Sequence, residues 1–453
     1  MERGHFVEKS FGMSQSTDTI YALSSGSLPA GVAIIRISGL IAVEALRSLV
    51  GDTLPTPRQA GLRTICNQNG DIIDQALVLH FPAPHSFTGE DCVELHVHGS
   101  RAVVSAIFSL LDRLPGLRPA EAGEFSRRAF DNGKMDLVEV EGLADLLQAE
   151  TEMQRRLAVE QSSGHLSSLY DGWANQLTRC RALIEAELDF ADEEDVPDSV
   201  ATQVWKTVEH LEGEIARHLT EGQGSEIIRD GFKVALLGAP NVGKSSLMNA
   251  LSGRDVAIVT DIAGTTRDVL SVDLDIDGYL VTLFDTAGLR EASDVVEREG
   301  IRRAERTAAN ADLVVYLTDT DSDPQQSQAQ RYPHSLLVET KADLLPEQVT
   351  EADRLVISAK TGVGLEALKS HLKTAIEQKI GSGVSLMPSR SRHKTRLQET
   401  LNHVRGALQS KGEELAIRSE YLRLAATSLG RITGRVDVEE LLGVIFSEFC
   451  IGK

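Results

Sequence analysis

Gly238-Ala239-Pro240-Asn241-Val242-Gly243-Lys244-Ser245 fits the pattern G-x-x-x-x-G-K-[ST], and it stands where that pattern has mechanical meaning. The apolar run at 232–237 ahead of it predicts a buried strand, and residues 245–251 after it predict the opening of a helix. A chance match in a glycine-rich turn would bring neither flank. In such a strand–loop–helix unit the glycines let successive backbone N–H groups point inward at a phosphate, and the helix dipole favours its charge. Lys244 is expected to reach the β- and γ-phosphates and the Ser245 hydroxyl to ligate Mg²⁺, with Asn241, Val242, Gly243 and Ser246 completing the cradle. The chain is therefore expected to bind a nucleoside triphosphate.

The base is read further on. Asp285-Thr286-Ala287-Gly288 follows a strand-like run at 279–284, which puts Asp285 at a strand end, suited to hold Mg²⁺ through water, and offers the Gly288 N–H to a γ-phosphate. Strand-like runs at 312–317 and 334–339 lead into Thr340-Lys341-Ala342-Asp343, and another at 354–357 precedes Ser358-Ala359-Lys360. That order resembles the translation-factor and Ras-like GTPases, whose [NT]-K-x-D motif uses its carboxylate to accept from guanine N1–H and the exocyclic amine. By that resemblance Asp343 selects guanine, because adenine lacks the donor pair and leaves the carboxylate unpaired. Thr340 replaces the commoner Asn of the motif.

Leu289 stands where Ras-like proteins carry the water-orienting Gln, so hydrolysis is expected to be organised differently. Asn241 within the phosphate loop, together with the polar loop at 260–268, resembles the potassium-dependent GTPases. That resemblance implies K⁺ held by Asn241, Thr260, Ile262 and Thr265 where an arginine finger would otherwise neutralise charge. Thr266 is the expected second Mg²⁺ ligand. Glu297 is the candidate to orient the attacking water, with a solvated surface glutamate as the competing reading.

The nucleotide-binding segment spans 230–383, leaving two flanks in a 453-residue chain. Residues 144–188 carry apolar positions at helical spacing (Leu146, Leu147, Leu157, Leu166, Leu169, Trp173, Leu177, Cys180, Ile184, Leu188), and 394–449 repeat the pattern. Segments 136–229 and 384–453 are thus expected to pack together as one all-α helical domain with the α/β nucleotide-binding domain inserted; a coiled coil competes, but the heptad does not persist. Residues 1–135 read as a separate α+β domain, with strands at 32–37, 76–81 and 92–98 and a helix at 103–111. His96 and His98 share one strand face without a Cys or Asp cluster, which favours packing over a metal site. Met13 is a possible second start, and the residues before it read as a disordered extension.

Several blocks carry a more specific likeness: 18–20 with 32–39, Ser86-Phe87-Thr88-Gly89-Glu90-Asp91, the stretch 123–137, and the terminal Cys450-Ile451-Gly452-Lys453. They resemble the MnmE (TrmE) family of bacterial and organellar tRNA modification GTPases, and the resemblance spans the chain. It implies a folate-binding N-terminal dimerisation domain, a helical domain and a Ras-like P-loop GTPase domain. It further implies a homodimer that works in a heterotetramer with the FAD-dependent MnmG, placing a carboxymethylaminomethyl-type group on C5 of the wobble uridine of certain tRNAs. The one-carbon unit would come from a tetrahydrofolate derivative resembling 5-formyltetrahydrofolate. Arg36, Glu94, Lys134 and Lys453 are the folate contacts that the resemblance implies. Cys450 is a nucleophile candidate near the chain end, against a reading in which Phe446 and Phe449 pack it as a small apolar residue.

A net charge of −21 argues against a chain that grips RNA phosphates alone, so tRNA is expected mainly through the complex. The compact basic stretch 388–396 reads as a solvated linker or an RNA contact. Cys66, Cys92, Cys180 and Cys450 show no C-x-x-C pairing, no run approaches membrane-spanning length, and a cytoplasmic protein is expected. A regulatory GTP switch, such as a ribosome-assembly factor, is the competing functional class, although no basic RNA-binding module is visible.

Overall fold

The computed structural model describes residues 18–189, 199–253, 270–285, 305–319, 332, 334–344, 355–381, 387–410, 415–436, 439–447 and 449–452. They form two compact units, 1–144 with 433–453 and 145–432.

In the first unit, strands β1 (Thr19–Leu23), β2 (Ala30–Ser38), β3 (Gly61–Cys66), β4 (Ile72–Phe81), β5 (Cys92–Gly99) and β6 (Leu117–Pro119) make a mixed sheet in the order β3-β4-β5-β2-β1-β6. Its period-2 patterning is clean. Ala33, Ile35 and Ile37 of β2 and Val93, Leu95 and Val97 of β5 are buried with apolar residues of α1 (Ala42–Val50) and α2 (Arg101–Leu111). The alternate positions therefore face the other way, and the antiparallel register sets Arg36 opposite Glu94 and Ile34 opposite His96. On that face Phe125 of α3 (Glu124–Asp131) packs with Ile20, Ala22 and Phe87. The start of α4 (Leu137–Gln148) contributes Leu137, Val140 and Ala144 to a cluster with Ile445 and Phe446 of the C-terminal helix Glu439–Ser447.

The second unit begins with α5 (Glu152–Ser162), α6 (His165–Asp189), α7 (Ser199–Glu221) and α8 (Ser225–Asp230), followed by the strand–loop–helix β7 (Phe232–Gly238) and α9 (Lys244–Ser252). Strands β8 (Leu270–Ile276), β9 (Tyr279–Asp285), β10 (Leu313–Thr318), β11 (Ser335–Glu339) and β12 (Leu355–Val356) complete a sheet ordered β12-β11-β10-β7-β9-β8. All its pairings are parallel except β8 with β9. β7 is buried on both faces, as a parallel strand between helical layers must be, and order reverses at it, which opens a crevice at its carboxyl end. Helices α10 (Leu365–Ile380), α11 (Ser391–Gln409) and α12 (Leu415–Thr433) follow.

The apolar stripes of both flanks are buried: Leu166, Trp173, Leu177 and Ile184 on α6, Val208 and Ile215 on α7, Leu397 and Val404 on α11, Leu422 and Leu429 on α12. Arg405 of α11 ion-pairs with Glu212 of α7, and the Arg418 guanidinium stacks on Trp205. Two expected stripe members are exposed instead, Leu147 at 48% and Leu188 at 39%. Each occupies the last turn of its helix, beyond the final packed position. The architecture is an α+β N-terminal domain and a helical domain into which an α/β P-loop domain is inserted.

At the centre of the helical layer, Tyr170 is buried and its hydroxyl lies 3.1 Å from His218 Nε2; Trp173 donates to Glu214 and meets the His218 ring edge-on. Burial holds the Tyr170 hydroxyl protonated, so it donates and His218 Nε2 accepts. Burial, reinforced by neighbouring His393, lowers His218 from 6.5 to about 4. Above pH 6.5 neither folded nor unfolded chain pays for this site. Between 6.5 and about 4 the unfolded chain takes up a proton that the folded one refuses, and stability falls by up to about 3 kcal/mol. Melting temperature followed from pH 7 to pH 4 is expected to drop more steeply for the wild type than for His218→Gln; parallel profiles would show that His218 is not the titrating group.

Candidate nucleotide site and a polar site on the N-terminal sheet

The phosphate loop is built from conformations that its sequence permits. Gly238 leaves β7 at φ +142°, and a Cβ there would lie 2.4 Å from Leu317 O, so only glycine fits. Asn241 takes the left-handed region at φ +61°, where Asn is among the residues most often tolerated, and Gly243 opens α9 at φ +110°. Lys244 is 6% exposed and its Nζ donates to Gly238 O at 2.7 Å and Ala239 O at 2.8 Å, arching back over the loop it belongs to. Ser245 Oγ donates to Asp285 Oδ2 at 2.8 Å. Because β7 and β9 are neighbours, a hydroxyl and a carboxylate 40 residues apart meet as two hard oxygen donors at the crevice, the chemistry Mg²⁺ takes.

The base-reading motif follows β11. Thr340 is buried, and its Oγ1 lies 2.6 Å from Val242 O in the phosphate loop and 3.1 Å from Thr318 O at the end of β10. One O–H donates to one carbonyl at a time. The hydroxyl is thus engaged in tying the base loop to the phosphate loop. Asp343 accepts from Ser358 Oγ at 2.7 Å, and this bond, aided by the Lys360 charge, lowers its carboxyl below the usual range. Lys341 at φ +63° ion-pairs with Asp319 at 2.9 Å. Asp319 was not singled out by the motifs; its signal is an acidic residue just past a strand on the same sheet edge. Ser246 is exposed beside Ser245, and Ala359 and Lys360 form the turn after Ser358. Thr260, Ile262, Thr265, Thr266, Thr286, Ala287, Gly288 and Glu297 lie outside the described residues.

The second site is on the open face of the N-terminal sheet. Arg36 donates to Glu94 Oε1 from Nη2 at 2.9 Å and Nε at 3.1 Å, and its guanidinium lies 5.0 Å from the Phe87 ring centroid and 5.7 Å from that of Phe125. His96 Nε2 is 3.4 Å from the other Glu94 oxygen. His98 pairs instead with Asp74 at 2.7 Å, so the two histidines serve separate carboxylates. The loop carrying Phe87 is pinned from below: Arg128, 5% exposed, bridges Glu90, Asp18 and Glu124 at 3.0 to 3.1 Å, and Glu90 also accepts from Ser38 at 2.7 Å. Lys134 is exposed and runs beside Gly89 of that loop.

The chain end docks on the same sheet. Ile451 bridges Ala122, Ser24 Oγ donates to Gly452 O at 2.7 Å, and Gly452 sits at φ +98° where a Cβ would lie 2.0 Å from Leu23 O. The tail thus docks on β1, the strand that pairs with the one carrying Arg36. Lys453 lies outside the described residues. Cys450 is exposed, not packed by Phe446 and Phe449, because those rings turn inward to α4 while the bridge at Ile451 carries the chain outward. The basic stretch 388–396 is no solvated linker: Arg390 pairs with Asp145, Lys394 with Glu226 and Arg396 with Glu399, and Arg392 donates to Ile432 O. Residues from Ser391 onward are helical, which aims these cations at neighbouring elements.

A phosphate loop at the reversal point of a parallel sheet, a carboxylate at the end of the adjoining strand and Thr-Lys-x-Asp after β11 define the class, a P-loop GTPase. Among families, the MnmE helical domain matches residues 137–450 and the GTP-binding protein TrmE N-terminus matches residues 19–134. The chain is 70% identical over 443 residues to the tRNA modification GTPase MnmE of Agrobacterium fabrum (strain C58 / ATCC 33970), covering 97% of this chain and all of that protein. It is 57% identical, at the same coverage, to the tRNA modification GTPase MnmE of Rhizobium etli (strain CIAT 652). The chain belongs to the MnmE family.

Proposed function

We propose that this GTPase acts in tRNA modification, as its relatives' names describe, and that its N-terminal sheet holds a reduced folate supplying the one-carbon unit. The observation that supports the folate reading is the Arg36–Glu94 pair on the open face of that sheet, with the tail ahead of Lys453 docked on the adjoining strand β1. Cations there suit the glutamate tail of a folate, and a carboxylate suits the donor edge of a pterin, as Asp343 suits guanine. The product is a carboxymethylaminomethyl-type group at C5 of the wobble uridine, made as a homodimer with the FAD-dependent MnmG. With net charge −21 and the 388–396 cations held within the protein, tRNA is engaged mainly through that complex.

At the other site Ser245 and Thr266 hold Mg²⁺, with Asp285 beside it, and Asn241, Thr260, Ile262 and Thr265 hold K⁺. Bound there, the two cations supply the charge neutralisation that phosphoryl transfer needs. Glu297 orients the attacking water. The guanine site comprises Asp343, Lys341, Thr340 and the 358–360 turn.

Calorimetry with 5-formyltetrahydrofolate tests the folate assignment. The full-length wild type is expected to bind, and Arg36→Ala to bind about 10- to 100-fold more weakly, since the variant loses a charge-assisted contact. Wild-type affinity in the variant would remove Arg36 from the site, and no binding by the intact protein would remove the folate reading.

A further inference from the structure

Helix α5 stands some 80 residues ahead of the phosphate loop, yet it is fastened at four places to the nucleotide-binding domain and to the segments by which the chain enters and leaves it. A capping box between Thr151 and Gln154 starts it. The amide end of Gln154 donates from Nε2 to Arg229 O at 2.9 Å, just before β7 begins. Leu157 is buried in the same core as Val234 of β7 and Val281 of β9. At the far end of the helix Gln161 Nε2 donates to Ser389 Oγ at 2.6 Å, where the chain has left the domain.

The fourth contact is with the β8–β9 hairpin. First-turn N–H groups of a helix have no partner within it. Met153 gives its N–H to Gly278 O at 3.0 Å, and Gly278, at φ +88°, forms the hairpin tip. A Cβ on Gly278 would lie 3.4 Å from Glu152 Cβ, so the tip seats directly on the helix start. From this tip β9 runs to Asp285, the residue that accepts from Ser245. Gly278 and Asp285 thus terminate one strand about 20 Å long. Hydrogen-bonded to β7 on one side and β8 on the other, that strand is a continuous connection between the helix start and the nucleotide crevice.

We propose that α5 senses nucleotide state through β9, the Met153–Gly278 hydrogen bond loosening when Asp285 is drawn toward a bound GTP and tightening when it is not. The inference rests on the GTPase reading and adds the route by which that site acts on the helical domain. It uses one element in contact with both sites; a coupling requires that element to have two states that both sites bias, and hydrogen exchange reads whether it does.

Hydrogen exchange on the full-length protein is the direct test. The Met153 amide is expected to exchange several-fold faster with Mg²⁺ and a non-hydrolysable GTP analogue than with Mg²⁺ and GDP. Equal exchange in the two states, with binding of both nucleotides verified in the same samples, overturns the relay while leaving the GTPase reading intact; failure to bind either nucleotide overturns both.

Discussion

Asp343→Asn is expected to weaken GTP binding by about 10²- to 10³-fold and to improve binding of xanthosine triphosphate in compensation. The carboxylate is already poised to accept. Ser358 holds one of its oxygens at 2.7 Å, and that bond, with the Lys360 charge, keeps the group ionised across the working pH range. Guanine offers two donors, N1–H and the exocyclic amine, and a carboxylate accepts from both. An amide puts a donor against a donor, whereas xanthine presents an acceptor at that edge and restores the pairing. Titration of both nucleotides against wild type and variant checks it. Unchanged GTP affinity in Asp343→Asn would show that the base is read elsewhere.

Replacing K⁺ by Na⁺ at equal ionic strength is expected to lower kcat about 10²- to 10³-fold, the usual cost of losing one preorganised charge-stabilising group, with a much smaller change in nucleotide affinity. Two features of the chain motivate this. Leu289 stands where a water-orienting Gln would be, and Asn241 holds a left-handed conformation at φ +61° that presents an exposed amide at the edge of the phosphate loop. Asn241→Ala is expected to abolish the difference between the two salts. A cation that acts at the transition state affects kcat and not KM, so the loss is expected in kcat. Equal rates in both salts would mean that another group neutralises the developing charge.

Much of the nucleotide site was legible before any coordinates. A phosphate loop must be contiguous, because successive backbone N–H groups wrap a single ligand, so 238–245 identifies itself. Motifs at strand ends inherit their positions from the sheet, which is why Asp285 and Asp343 could be named from the strand-like runs ahead of them. The helical flanks were likewise visible as apolar stripes, with errors confined to helix ends such as Leu147 and Leu188, where periodicity continues but packing stops. Short elements with weak patterning, including α1, β3, β6 and α3, gave no sequence signal, since each is stabilised by neighbours from elsewhere in the chain.

The amino-acid sequence by itself determined the ligand class, the order of the motifs and the family blocks, all of which reside in runs of a few residues. Only the tertiary structure decided who meets whom across long separations. Ser24 holds Gly452 across 428 residues, Thr340 ties its loop to Val242 across 98, and Arg36 finds Glu94 because β2 and β5 pair in one register and no other. It also removed the solvated-linker reading of 388–396 and the packed-thiol reading of Cys450: whether a cation is solvated or a thiol buried depends on what packs beside it. Acidic partners for Arg390 and Lys394 lie at Asp145 and Glu226, far back in the chain. Such pairings are set by sheet register and helix packing, and a one-residue slip in either would turn every one of these side chains to a different neighbour.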